Sequence, residues 1–186
     1  VNAGIRYGRE SMLEDMRSAA DTGVPEFATI DLATRGERLV LVRAESRYVV
    51  RPGAFYVDNL CVGEIDYDGR ITAQVMFGID DIDAAFKELD ARYLAGEAAA
   101  HAQTFSVIAE AFAAVNRHEL PSTTTPDFVS IDHRRPIAFA PGEMTEYMNA
   151  TWNLAPDVEV YVEAVHRLNQ RGAVVTHVAR GASQQG

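Results

Sequence analysis

Gly8 to Glu45 reads GRESMLEDMRSAADTGVPEFATIDLATRGERLVLVRAE, and Pro141 to Arg180 reads PGEMTEYMNATWNLAPDVEVYVEAVHRLNQRGAVVTHVAR. Each stretch carries two methionines four apart, Met12/Met16 and Met144/Met148, a spacing that puts both on one helical face. Each then shows a turn-like break, a β-rich run, an Arg-Gly corner (Arg35-Gly36 and Arg171-Gly172) and a second β-rich run. The offset is 132 residues at the methionines and 136 at the glycines, which one four-residue insertion would reconcile. A period of this length is too long for a solenoid unit and suits a whole small domain. The 186 residues would then hold a tandem repeat cut out of phase.

Around these two stretches the chain alternates between helical and strand periodicity. Residues 9–21 place Met12, Leu13, Met16, Ala19 and Ala20 on one helical face, with Gly23 and Pro25 as the stop. Phe27–Thr34 and Arg38–Glu45 predict a hairpin turning at Gly36, and Arg47–Ala54, with Pro52-Gly53, predicts a loop. Phe55–Tyr67 and Arg70–Phe77 alternate apolar with polar residues about Asp68-Gly69, the pair favoured by a type I′ turn in which both central residues have φ > 0. These runs predict four successive strands in a curved antiparallel sheet.

Asp80-Asp81 then predicts the cap of a helix carrying Ile82, Phe86, Leu89 and Tyr93, stopped at Gly96. Glu97–Gln103 is an alanine-rich connector, with a continuous helix as the rival reading. Thr104–Arg117 is amphipathic through Phe105, Ile108, Ala109, Phe112 and Val115. Short strands are expected at Phe128–Asp132 and Ile137–Phe139, a helix at Gly142–Trp152, and a hairpin from Val158–His166 and Ala173–Ala182.

Composition excludes several classes of function. The formal charge of −10 opposes binding to nucleic acid or to an anionic membrane surface. No apolar run approaches the ~20 residues that span a bilayer. Cys61 is the single cysteine, so neither an intrachain disulfide nor a cysteine-built zinc site is available. His101, His118, His133, His166 and His177 show no metal-ligand spacing, so no metal or cofactor is expected. A cytoplasmic location is the simplest expectation. The missing initiator methionine fits a fragment of a longer chain.

Two further runs carry a family resemblance. Phe112-Ala-Ala-Val-Asn-Arg-His-Glu followed by Thr125-Pro-Asp-Phe-Val-Ser-Ile-Asp-His133 looks like the first helix and "PDFV…D" strand of the NTF2-like superfamily. Gly63-Glu-Ile-Asp-Tyr-Asp-Gly-Arg-Ile-Thr-Ala73, with Phe77 beyond, looks like its last hairpin. In element order, too, the chain resembles this cystatin-like α+β fold of the SnoaL-like and ketosteroid-isomerase-like proteins. It also resembles tandem modules of that type in larger actinobacterial signalling proteins.

The resemblance implies a curved antiparallel sheet wrapped on helices, as two partial units. Residues 1–96 would form the back portion of one cone and 103–186 the front portion of the next. Halves cut in this way expose sheet edges and apolar surface, which implies a homodimer that completes them. The resemblance further implies a pocket lined by Tyr56, Phe112, Tyr147, Trp152 and Tyr161 that holds a small apolar ligand. An acid or base at its mouth would fall on Asp132 or His133. The competing reading makes Asp132-His133-Arg134-Arg135 a charged turn. The expected function is a non-catalytic dimerisation or ligand-binding module of a larger regulatory protein. Its alternative is a SnoaL-like isomerase, cyclase or hydrolase acting on a small hydrophobic carbonyl compound through Asp132 or His133.

Overall fold

The computed structural model describes residues 26–50, 53–133, 137–139 and 143–181, together with Glu10, Leu13, Glu14 and Arg17, whose backbone is helical. Met12, Met16 and the rest of the helix expected at 9–21 lie outside the described residues. The element order is β1 (Glu26–Arg35), β2 (Leu39–Val50), β3 (Gly53–Ile65), β4 (Ile71–Gly78), α1 (Ile82–Ala95), α2 (Ala102–Asn116), β5 (Ser130–Asp132), β6 (Ile137–Phe139), α3 (Glu143–Leu154), β7 (Glu159–Asn169) and β8 (Gly172–Arg180). Strands β1–β4 form one sheet in sequence order, while β5–β6 and β7–β8 are two-stranded ribbons. The α+β class and the four-stranded antiparallel sheet are therefore present as expected.

Contacts divide the chain into two compact units, Val1–Leu32 with Arg38–Leu89 and Ala33–Glu37 with Asp90–Gly186. In the first unit the strand centres are buried on both sheet faces. Leu41 lies opposite Val62 on one face, and Val42 opposite Cys61 on the other, with Ala44 one step along. Ala85, Phe86 and Leu89 of α1 complete that unit's buried set at helical spacing. Cys61 is part of this core, and burial pushes its thiol pKa up, away from the reactive thiolate.

The loop expected at Arg47–Ala54 is not a loop. β2 runs to Val50 and β3 begins at Gly53, with Val50 opposite Gly53 in register. Tyr48, Val49 and Val50 favour extended backbone, and Arg47 finds partners only in a sheet. Its guanidinium meets Glu26 at 2.9 Å and lies over the ring of Tyr56, the residue opposite it, at 5.9 Å.

The turn expected as type I′ is also different. Gly69 has φ 75, but Asp68 is not among the positive-φ residues. Gly69 N–H donates to Asp66 C=O, and the Asp66 carboxylate accepts from the N–H groups of Asp68 and Arg70. An Asx-stabilised turn followed by a left-handed glycine is the longer hairpin solution, and the register shifts between Glu64 and Ile65 accordingly.

Helix α2 ends in a Schellman motif. Glu119 N–H donates to Ala114 C=O and His118 N–H to Val115 C=O, with His118 at φ 58 in the position glycine usually takes. The connector before α2 is neither a loop nor a continuous helix. Turns at residues 96–98 lead into a single 3-10 turn, Ala99–His101, which abuts α2.

The two Arg-Gly corners occupy different structural positions. Gly36 is a left-handed turn residue at φ 59, and a Cβ there would fall 1.8 Å from Glu97 Oε2. Gly172 is the first residue of β8, with open space around it and no positive φ. Gly36→Ala is therefore expected to cost about 1–3 kcal/mol through the forced left-handed alanine and the displaced carboxylate. Gly172→Ala should change stability by less than about 0.5 kcal/mol. Urea unfolding of the two variants side by side checks the contrast.

Candidate functional site

The second unit is built around a buried arginine. Arg35 is 1% exposed at the end of β1 and uses four of its five donors. Nε donates to Asp90 Oδ1 at 2.7 Å. Nη1 donates to Thr34 C=O at 2.8 Å and Glu163 C=O at 3.4 Å, and Nη2 to Val162 C=O at 2.9 Å. Consecutive carbonyls of a regular strand point to opposite edges. Here the register of β7 with β8 skips Glu163, a bulge that lets both carbonyls reach one guanidinium.

Phe105 of α2 lies beneath that guanidinium at 5.6 Å and meets Tyr93 edge-on, with ring centroids 5.3 Å apart. Glu97 accepts the N–H of Glu37 at 3.0 Å, which holds the turn beside Arg35. Burial pushes the Asp90 carboxyl above its ordinary pKa, while the Arg35 charge and hydrogen bond pull it back. Burial also raises the phenol of Tyr93, helped by the Glu97 charge.

A second side chain works on the same strand. Asn116, the last residue of α2, donates from Nδ2 to Val160 C=O at 3.2 Å and accepts Val160 N–H on Oδ1 at 2.8 Å. Val160 pairs in register with Ala179 of β8, so a residue whose N–H and C=O both go to Asn116 has them on the edge away from β8. Arg35 and Asn116 thus satisfy in cis an edge that would otherwise invite another strand. Asn116→Ala leaves both groups of Val160 unpaired. The expected cost is about 1–3 kcal/mol, read from urea unfolding followed by the fluorescence of Trp152, the chain's single tryptophan.

The structure brings some of the sequence-selected residues together and leaves others apart. Phe112 sits one helical turn before Asn116, its ring 5.7 Å from that of His177. Trp152 of α3 stacks on His118 at 5.3 Å. Tyr161 is buried beside Val160, with its hydroxyl donating to Glu159 at 2.5 Å. Phe112 and Trp152 thus meet histidines on and just past the C-terminal half of α2, whereas Tyr161 is on the face of β7 opposite to Val162 and its partner His177. Tyr147 is exposed on α3, and Tyr56 belongs to the first unit, 73% exposed on β3. Asp132 ends the three-residue strand β5, opposite Ile137, and His133 is exposed in the turn that follows. Sequence reasoning gave no site role to Arg35, Asp90, Asn116, His118 or His177. Only the side-chain size of Asn116 near a helix end and the unusual Arg before the turn glycine were there to signal them.

In the first unit the sheet divides along its length. Arg43, Glu45 and Arg47 alternate on one face of β2, and Arg43 reaches both Asp58 of β3, at 3.0 Å from Nε, and Glu45, at 3.2 Å. With Glu26–Arg47 these pairs cover the β2–β3 end with charge, and solvent screens them at such exposure. β4 is unlike its neighbours. Its sequence ITAQVMFG has no charged residue, Ile71 and Met76 are 58% and 55% exposed, and it is the end strand of its sheet.

Among the described residues no three His, Cys, Asp or Glu side chains converge as a metal site, and no helix is long and apolar enough to cross a membrane. No protein-family model matches the chain, no curated protein matches it, and no solved structure matches it.

Proposed function

We propose that the chain is a self-associating, non-catalytic module of NTF2-like type, which pairs with a second copy and holds a small apolar ligand for a larger regulatory protein. One observation carries this reading: the uncharged and exposed β4 at the end of an otherwise charge-decorated sheet, in a chain of net charge −10. Strongly like-charged chains repel, so a neutral apolar strand is where they can meet. Phe112 and Trp152, which meet His177 and His118 on and just past the end of α2, support the ligand-holding part. His133 is exposed in its turn, which favours a binding role over general-base chemistry there.

Light scattering across a concentration series tests the reading. Twice the 20.4 kDa chain mass, about 41 kDa, is expected at the upper concentrations. A mass of 20.4 kDa throughout defeats it. Quenching of Trp152 by a neutral naphthalene derivative tests the ligand part. Turnover of a small carbonyl compound that Asp132→Asn or His133→Ala abolishes would favour the enzyme instead.

A further inference from the structure

We infer that His118 is a pH-sensitive latch, independent of the self-association just proposed: as the imidazolium it holds α3 firmly to the end of α2, and as the neutral ring it lets α3 loosen. Both partners belong to the same compact unit. The ring of His118 lies over that of Trp152, with centroids 5.3 Å apart and planes 23° from parallel. The backbone fixes its place, since φ 58 makes His118 the left-handed residue that ends α2, with its N–H on Val115 C=O. None of the twelve residues of α3 is buried. A helix packed so lightly is held by few side-chain contacts, and the Trp152 stack is a large one. His118 is exposed, so protons reach it from solvent.

A neutral imidazole against an indole is an ordinary aromatic contact. Protonation adds two attractions of the same sign. The cation lies over the negative face of the indole, and it lies at the C-terminal end of α2, where carbonyls carry partial negative charge. The charges around the stack favour the cation or are taken up elsewhere. Arg117 is ion-paired with Glu110 at 2.7 Å and Glu119 at 2.9 Å, and two carboxylates against one guanidinium leave a net negative charge beside His118. On α3, Glu143, Glu146 and Tyr147 lie about 120–180° around the helix from Trp152. Asp157, in the turn between α3 and β7, is a further acid. On β7, Glu159 accepts the Tyr161 hydroxyl and lies opposite Arg180 of β8. His177 of β8 lies against Phe112, more than one helical turn before His118. Histidine is the side chain whose charge changes between about pH 5 and about pH 8. The latch is therefore closed at the acid end of that range and released as pH rises through it.

Amide hydrogen exchange of the full chain, with each rate corrected for that of unstructured backbone at the same pH, reads the hold on α3. In the wild type the α3 amides are expected to be ~2–5-fold better protected at about pH 5 than at about pH 8, the effect of one exposed cation over an aromatic face. His118→Asn suits the left-handed position and carries no charge, so its α3 should be no better protected at either pH than the wild type at about pH 8. His118→Arg brings a planar group that is always charged and stacks on indole, and should keep the acid level of protection throughout. A wild type equally protected at both ends overturns the latch. So does a pH dependence that survives in His118→Asn, and its loss on adding His177→Gln would place the switch on the Phe112–His177 contact instead.

Discussion

Arg35→Leu is expected to destabilise the second unit by about 3–5 kcal/mol. The side chain is an inserted partner for four oxygens, and leucine leaves Asp90 with a half-buried carboxyl and two β7 carbonyls without a donor. Burial already lifts the Asp90 pKa, so without Arg35 the carboxyl would take up a proton more readily, which limits the loss but does not restore the carbonyl bonds. Lysine should recover little. Its ammonium is a single point, whereas the guanidinium spans Asp90 on one side and Val162 and Glu163 on the other. Trp152 lies in the affected unit, so its fluorescence in urea reads the effect directly. At a slope of roughly 1–3 kcal/mol per molar urea the midpoint should fall by about 1 M or more, to the point of unfolding a marginal chain. A shift below about 0.5 M would mean that the bulge carbonyls find water and that Arg35 is not the organising group.

Phe105→Ala is expected to cost about 3–5 kcal/mol as well. Phe105 is fully buried, touches Tyr93 edge-on and supports the Arg35 guanidinium from below, so alanine removes transfer energy, leaves a cavity and loosens the arginine at once. The double variant Arg35→Leu/Phe105→Ala should lose less than the sum of the single changes, because the two residues share one contact. Strict additivity in urea unfolding would show that they stabilise the unit independently.

Local patterns made much of this fold readable. Alternation marked β3 and β4, β-rich runs marked β1, β7, β8 and the first part of β2, and threefold and fourfold spacing marked α1 and α2, because one buried face imposes those periods. Gly36 and Gly69 were legible as turn residues. Pro52-Gly53 read as a loop because those residues tend to break pairing, whereas the strand-forming Tyr48, Val49 and Val50 carry the ladder to the Val50–Gly53 pair. The bulge at Glu163 leaves no mark in composition, so Arg35 read only as half of an Arg-Gly corner. The two Arg-Gly corners look alike as letters and differ in φ, neighbours and burial. The residues chosen for chemistry fared unevenly: Phe112 and Trp152 each pack on a histidine, while Asp132 ends a three-residue strand and His133 lies in the turn after it.

The absence of charge from β4 was in the sequence all along. Its meaning depended on knowing that β4 ends the sheet. The most direct test of self-association is the mass of the full chain in sedimentation equilibrium over a rising concentration series. A species of about 41 kDa, twice the 20.4 kDa chain, is expected at the upper concentrations. A chain that stays at 20.4 kDa throughout would contradict the account.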